Sequence, residues 1–577
     1  MAVSHLYQPI GVWTGRLILP PRTQRPPDDS VLFEVHNAAP AHQPLIGKIV
    51  QLKWSRDPSV QTFVQAVTRD VEFTEETEKS EEAGNIHPDR LNGLTKVGPL
   101  ASLAGARSKD DVTVLLREPM VVDEGEDRYS LVISQEPVQI TGRLCALVTI
   151  TQRETESSDR FIVRHYNPLS QQFDGPLETL RIPQVPTDSS GVARSTNHLI
   201  EQSDFNQDGW YIYGETGTDG LFVVQAIEPR GLLRLTPDRV DWEPEAIIAY
   251  LTGKNWDHTP LQKGKIWKVS LGKTDEQGGK NPCPWQEGDI GIVIHSFGGI
   301  GGKKGEPTPF GLVTGHFAYG KARVVRDRFT DELRFDIEYQ QVYAHNPDGI
   351  VAGSFKWQSY LGDLQRGWLG NRPVCDIIFK LDAVCQDYDF GGIKLSPLAE
   401  FNHQLEIMTA RYRIGDGTGA SLVTPATSCV QDSNQALYTT IQKVATEIES
   451  HGQIQEWLQR HPESEQNVRF QQLLALAAAL EKELVPLGIA RPDWAENARL
   501  AGIYYAPKNP PLDQLTNPIK AAISWRTMLP RRAQDEIATI LVKEGAIVWI
   551  IRTNQVGGFD PDIEPLAPTT ILRNLMG

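Results

Sequence analysis

The first 183 residues carry a pattern of hydrophobic and polar positions that is typical of β-strands. Alternating or β-branched runs occupy residues 11–19, 47–54, 112–116, 143–152 and 160–165. Prolines and turn-forming residues separate these runs, as they do between the strands of a sheet. The pattern therefore predicts a β-rich N-terminal module over residues 1–183. After a polar linker, it predicts a second β-rich module over residues 198–280.

Residues 285–450 form the third predicted unit, which starts with strands and turns helical after Pro425. Residues 288–295 read as a buried strand, while residues 429–448 carry apolar side chains at helical spacing. Helical spacing recurs in the C-terminal region, residues 451–577, apart from a β-branched run at 547–551 that also fits a strand and an extended tail at 557–568. We therefore predict an α+β, multidomain protein whose C-terminal region is mostly helical.

The charge of the chain narrows the range of partners. The 577 residues carry a formal net charge of −16 at pH 7, and 40% of them are hydrophobic. That hydrophobic share is enough for packed cores. The acidic balance, with no basic stripe to offset it, argues against a nucleic acid as partner.

Cysteine usage and hydropathy indicate the compartment. The five cysteines are far apart, without C-x-x-C spacing, which is typical of a reducing compartment and gives no zinc framework. The longest apolar run, residues 473–480, is too short to cross a bilayer. We expect a soluble, cytoplasmic protein. Basic residues at 526–532 beside the apolar run 546–551 leave membrane association as an alternative to simple packing.

Cys429 is the main candidate for chemistry. Ser428 and Gln431 have the spacing of a capping box, so Ser428 is the predicted N-cap and Cys429 the first helical residue. A thiol at that position faces unpaired backbone N–H groups and the positive end of the helix dipole. Both favour the thiolate, which is the nucleophilic form.

A cysteine nucleophile also needs an imidazole base and a polar group that orients it. His316, at the edge of a predicted strand, is the first candidate base, and His345 is the second. Asp336 and His345 are candidate orienting residues, while Gln431 and Asn434 are candidates for stabilising an oxyanion. The alternative is a buried structural cysteine that happens to start a helix.

The order of these motifs resembles a known group of enzymes. Gly288-Asp-Ile-Gly-Ile-Val-Ile-His295, then Gly315-His-Phe-Ala-Tyr-Gly320, then a helix opened by Cys429 is similar to circularly permuted papain-like domains of the NlpC superfamily, which includes lecithin:retinol acyltransferase-like proteins. The resemblance implies that His316 is the base and Cys429 the nucleophile. The chain departs from the pattern in the long stretch between the two residues and in the Val-Gln-Asp that follows Cys429.

A wider resemblance covers almost the whole chain and concerns cyanobacterial proteins labelled predicted Abi (CAAX) family proteases. The motifs that carry it are Trp210-Tyr-Ile-Tyr-Gly214, Phe297-Gly-Gly-Ile-Gly-Gly302, Tyr339-Gln-Gln-Val-Tyr-Ala-His-Asn-Pro-Asp-Gly349, Gly362-Asp-Leu-Gln-Arg-Gly-Trp-Leu-Gly370, Thr424-Pro-Ala-Thr-Ser-Cys-Val-Gln-Asp-Ser433 and Trp525-Arg-Thr-Met-Leu-Pro-Arg-Arg532. That label implies a membrane domain with paired glutamates, which this sequence lacks. The resemblance therefore implies the soluble portion of such a protein, with a membrane protein as a candidate partner.

A calcium loop is the other candidate site. Asp204, Asn206, Asp208 and Glu215 match the oxygen ligands of an EF-hand loop, with a glycine at the sharp turn. Helical flanks are missing from the pattern, which favours an ordinary turn between two elements. Calcium is thus the one cofactor that the sequence suggests, and the main hypothesis needs none.

The leading hypothesis is a cysteine-dependent hydrolase or acyltransferase that acts on an amide or ester bond. Its substrate class is a peptide, an amide or a lipid-like acyl compound. Two alternatives stay open at this point. One is a non-catalytic binding or regulatory region of a membrane CAAX-type protease, and the other is a calcium-binding interaction protein.

Overall fold

The computed structural model describes most of the chain. It covers residues 6–26, 28–72, 75, 96–107, 110–185, 197–274, 277–308, 311–342, 345–346, 349–350, 352–415, 428–484 and 529–570. Over these residues the protein is a mixed α+β structure whose helices concentrate towards the C-terminus. The predicted α+β class and the helical C-terminal region are thus confirmed.

Within the described residues, fifteen strands form one large sheet. In order across the sheet, they are Arg239–Asp241, Lys265–Leu271, Ile547–Asn554, Pro373–Lys380, Ile290–Phe297, His316–Arg326, Leu333–Gln341, Gly353–Lys356, Val138–Gln139, Thr113–Leu115, Thr14–Ile18, Val31–Asn37, Ile49–Trp54, Arg128–Ile133 and Met120–Gly125. N-terminal, central and C-terminal segments all contribute, so this sheet crosses the predicted unit boundaries. Which strand edges meet depends on tertiary packing, and local hydrophobic pattern does not encode it.

A second sheet closes into a five-stranded barrel, with the short strand Gln8–Pro9 beside it. Its strands are, in order, Leu144–Arg153, Arg160–His165, Leu177–Arg181, Phe222–Pro229 and Trp210–Thr216, and the last pairs with the first. Alternating apolar side chains fill the interior, among them Val148, Val163, Leu180, Ile212 and Val224. Closure leaves these five strands without a long exposed edge.

Short ribbons and helices complete the described structure. The two-stranded ribbons are Arg69–Asp70 with Lys96–Val97, Lys273–Thr274 with Lys280–Asn281, Gly299–Gly301 with Glu564–Leu566, His345–Asn346 with Gly349–Ile350, and Tyr388–Asp389 with Lys394–Leu395. The α-helices are Pro58–Val67, Pro99–Ala104, Arg230–Leu233, Pro244–Ala249, Trp357–Tyr360, Asp382–Cys385, Pro397–Arg413, Cys429–Ser450, Gly452–Arg460, Glu465–Leu484 and Pro530–Lys543. Single turns of tighter or wider helix are Arg22–Gln24, Pro40–Leu45, Ile200–Gln202, Asp204–Gln207, Tyr250–Lys254 and Thr259–Gln262.

Four strands at the centre of the large sheet and one helix position the candidate site. They are β1 (Ile290–Phe297), β2 (His316–Arg326), β3 (Leu333–Gln341), β4 (Pro373–Lys380) and α1 (Cys429–Ser450). Strand β1 lies between β4 and β2, and β3 follows β2, all antiparallel. The strand predicted over residues 288–295 and the helix predicted from residue 429 are thus confirmed as β1 and α1.

The large sheet separates two layers of the molecule. On β2, Phe317 and Tyr319 are fully buried in the core that the sheet shares with α1. Ala322 and Val324 point to the other face and belong to the core that the sheet shares with the barrel. Side chains alternate between the faces of a strand, so β2 serves both cores at once.

Candidate functional site

Cys429 is the first residue of α1. The carbonyl of Ser428 accepts a hydrogen bond from the N–H of Asp432 at 3.1 Å, as expected where a helix begins. The thiol is partly buried, and the backbone N–H groups of Phe317, Val430 and Cys429 itself lie near it and act to lower its pKa. It therefore lies where the N-terminus of α1 meets the start of β2.

Burial decides the protonation state of this thiol. Desolvation raises the pKa of Cys429 to about 11, although the three backbone N–H groups act in the opposite direction. Removal from water disfavours a charged form, and hydrogen bonds to that form favour it. The helix start favours the thiolate, as predicted. Desolvation outweighs this effect, so the neutral thiol is the favoured form at neutral pH.

His316 opens β2, immediately before the residue whose N–H contacts the thiol. Gly315 precedes it with φ +69°, and a Cβ on that glycine would lie 2.1 Å from the carbonyl oxygen of Phe297. Only glycine fits this close approach, which directs the chain into β2 at His316. The structure thus brings Cys429 to the beginning of the strand that carries His316.

A glutamine holds the ring of His316. The Nε2 of His316 lies 2.6 Å from Oε1 of Gln341, the last residue of β3, and both side chains are buried. Because Oε1 only accepts hydrogen bonds, Nε2 carries a proton. Nδ1 is then the nitrogen that can accept a further proton. No local sequence pattern marks Gln341 as a partner of His316. Its position follows from the β2–β3 register, which pairs Tyr319 with Gln340.

A second imidazole lies next to His316 and was also missed. His295 of β1 faces Asp376 of β4, and its Nδ1 lies 2.8 Å from Asp376 Oδ1. The hydroxyl of Tyr339 donates to the other carboxylate oxygen at 2.8 Å. His295 is fully buried, and its Nε2 has no hydrogen-bond partner among the described residues. The ring centroids of His295 and His316 are 6.4 Å apart.

The two other predicted partners of Cys429 are placed differently. Asp336 pairs with Arg323, seven residues along β2 from His316, and its carboxylate accepts a hydrogen bond from Lys356 at 2.7 Å. The structure therefore does not bring Asp336 to His316. His345 lies in the ribbon His345–Asn346, and its side chain is outside the described part of the structure.

The predicted oxyanion residues both belong to α1. Gln431 lies in the first turn of the helix, and its side chain is outside the described part. Asn434 is buried, and its Oδ1 accepts a hydrogen bond from the hydroxyl of Tyr319 at 3.0 Å. That contact ties α1 to β2, so Asn434 positions the helix that carries the thiol.

Two of the predicted calcium ligands, Asn206 and Glu215, are engaged in close protein contacts. Asn206 Oδ1 accepts the N–H of Ile150 at 2.8 Å, and Glu215 pairs with Arg143 at 2.9 Å from a position inside a barrel strand. Asp204 and Asp208 lie in and just after a single helical turn. Among the described residues, no group of three or more His, Cys, Asp or Glu is placed to hold a metal ion. Residues 204–208 therefore form an ordinary turn, which is the alternative that the missing helical flanks favoured over a calcium loop.

A scan against protein-family models, a search of curated proteins and a search of solved structures found no match to this chain. In the part of the chain that the structure describes, no helix is long and apolar enough to cross a membrane.

Proposed function

We propose that this protein is a cysteine-dependent hydrolase or acyltransferase that acts on an amide or ester bond. The observation that carries the proposal is the junction of α1 with β2, where the Cys429 thiol contacts the backbone N–H next to His316. A nucleophile at a helix start and an imidazole on an adjacent strand are the parts that acyl transfer requires. The substrate class is a peptide, an amide or a lipid-like acyl compound.

The proposed reaction has two steps. Cys429 Sγ attacks the substrate carbonyl while His316 takes the thiol proton, and the same proton then leaves with the amine or alcohol. Water, or a second acceptor, releases the acyl group from sulphur. The backbone N–H groups around the thiol are suited to stabilise the negative charge that develops. Because the pKa of the thiol is about 11, proton removal accompanies the attack and does not precede it.

Two residues have positioning roles in this proposal. Gln341 fixes the proton on Nε2 of His316 and leaves Nδ1 as the basic nitrogen. His295, held by Asp376, lies beside His316 in the same buried layer.

We also propose that residues 285–450 form a permuted papain-like domain. The order of β1, β2 and α1 supports that reading.

Acylation by an activated ester tests the proposal. The full chain, incubated with p-nitrophenyl acetate, is expected to release p-nitrophenolate in a burst and to carry the acetyl group on Cys429, as read by peptide mass spectrometry. Cys429→Ala is expected to abolish the burst. Cys283→Ala is the matched control, because Cys283 is also partly buried and lies away from the α1–β2 junction. A burst that survives in Cys429→Ala contradicts the proposal.

A second candidate function is a non-catalytic binding or regulatory module. The observation that favours it is the desolvated thiol, since a pKa of about 11 suits a packing residue as well as a nucleophile. Its partner would be a membrane protein, with the chain in the cytoplasm and associated with the membrane through that partner. The free state of the five cysteines supports a reducing compartment. A chain that is inert to activated esters but retained by membranes favours this candidate.

A further inference from the structure

A cavity of about 360 Å³ lies at the opposite end of β2 from Cys429, between the large sheet and the barrel. Its volume falls within the range of small-molecule sites, which often form where two packed units meet. Residues of both sheets line it, among them Cys145, Tyr211, Arg328, Arg334, Lys356 and Trp357. Arg326, which ends β2, lies ten residues from His316, or about 33 Å along the strand.

The carboxylates in the lining of this cavity all have cationic partners. Glu228 and Asp327 both pair with Arg334, the former through a short hydrogen bond. Asp336 pairs with Lys356 at 2.7 Å. The negative charges of the wall are therefore neutralised within the protein.

Arg328 is the exception among the cations. Its guanidinium donates to the carbonyl of Pro9 and to the sulphur of Cys145, the latter at 2.8 Å. Burial raises the pKa of Cys145 to about 11, so that sulphur is a neutral acceptor at pH 7. Within the described residues Arg328 has no carboxylate partner, and its exposed guanidinium can pair with an anion at the mouth of the cavity.

Aromatic side chains form the apolar part of the wall. Tyr211 and Phe329 pack at a centroid distance of 6.0 Å, and Trp357 is nearly fully buried. Trp357 contributes apolar surface only, because its indole nitrogen is buried out of reach of the cavity.

We propose that this cavity binds a small organic anion with an aromatic body, of the carboxylate class. The guanidinium of Arg328 pairs with the carboxylate, and the aromatic wall packs against the ring. This site is separate from Cys429 and does not depend on its chemistry.

Calorimetric titration of the full chain with naphthoate, and with uncharged naphthylmethanol, tests this proposal. Naphthoate is expected to bind at least about tenfold more tightly, because its charge-assisted hydrogen bonds are roughly twice as strong as neutral ones. Arg328→Gln is expected to remove that preference, while Arg328→Lys keeps most of it. Arg323→Gln is the matched control, since it changes the net charge equally on an exposed stretch of β2 outside the lining.

Two results overturn the proposal. One is the absence of binding heat with naphthoate at millimolar concentration, and the other is an Arg328→Gln variant that binds naphthoate as tightly as the parent chain. The Arg328→Lys variant covers the case in which loss of the contacts to Pro9 and Cys145 disturbs folding. Acylation of Cys429 is measured separately, so either proposal can fail while the other stands.

Discussion

The two ends of β2 bury polar groups in different ways. At the His316 end, an amide side chain holds the ring, and the carboxyl group of Asp376 lies nearby, within hydrogen-bond distance of His295 and the hydroxyl of Tyr339. At the other end, ion pairs dominate, and Arg334 pairs with both Glu228 and Asp327. The same strand therefore ends in a hydrogen-bonded layer with two imidazoles on one side and in an ionic cluster on the other.

This difference has a chemical consequence. A buried charge without a partner is costly, so the ionic end is fixed by its pairs and has little freedom to change protonation state. The two imidazoles at the His316 end can accept or release a proton as a substrate arrives. If the proposed function holds, proton transfer takes place at that end, and the ionic end is suited to charge recognition.

The largest effect is expected from breaking the ionic end. Arg334→Met leaves Glu228 buried without its cation and is expected to lower the free energy of unfolding by about 3–5 kcal/mol. Urea denaturation followed by circular dichroism measures this. Arg326→Met is the control, because Arg326 pairs with Glu287 on the surface and its loss is expected to leave the free energy of unfolding nearly unchanged.

The pH dependence of that loss sharpens the test. Desolvation raises the pKa of Glu228 in the folded protein, and removing Arg334 raises it further. A carboxyl group with a raised folded-state pKa stabilises the fold at low pH, and this contribution is lost as the pH rises. The cost of Arg334→Met is therefore expected to be greater at pH 8 than at pH 5. An equal cost at both pH values contradicts the pairing.

At the His316 end of β2, the alkylation rate of the Cys429 thiol reports the protonation state of that thiol. Alkylation by iodoacetamide, followed by peptide mass spectrometry, is expected to rise with a midpoint near pH 11 in the folded protein. In urea the midpoint is expected near the ordinary thiol value of about 8.5. A midpoint in the folded protein below that in urea would show that the fold stabilises the thiolate. In that case Cys429 loses its proton before the attack, and a preformed ion pair takes the place of concerted proton transfer.

The smallest of these effects is expected at Gln341. Gln341→Leu removes the acceptor of His316 Nε2 and is expected to cost about 1–3 kcal/mol of folding free energy, since a buried donor is left unsatisfied. If the proposed function holds, the rate of acyl release falls while substrate affinity changes little. Gln341→Glu keeps an acceptor and is expected to restore the rate. Equal loss in both variants contradicts an orienting role.

Several parts of the fold followed from local pattern. The capping context of Ser428 predicted that α1 starts at Cys429, and the apolar run before His295 predicted β1. Strand partners did not follow in this way. Residues 1–183 supply strands to both the large sheet and the barrel, because pairing depends on which edges meet when distant segments pack.

The residues of the candidate site fall into the same two groups, those predicted from local pattern and those placed by tertiary contacts. Sequence selected Cys429 and His316, because helix-start and strand-edge positions are local properties. It placed the orienting group at Asp336 or His345, whereas the contact to His316 comes from Gln341. Nothing in the spacing distinguishes Gln341 from its neighbours. Only the antiparallel register of β2 and β3 brings it to the ring.

Local hydrophobic pattern, glycine placement and capping residues determined the α+β class, the helical C-terminal region and the position of Cys429 at a helix start. Tertiary structure alone decided the closure of the barrel, the His295–Asp376 pair and the raised pKa of Cys429. The physical reason is range. Propensity and capping act over a few residues, whereas desolvation and cross-strand contacts depend on segments far apart in the chain.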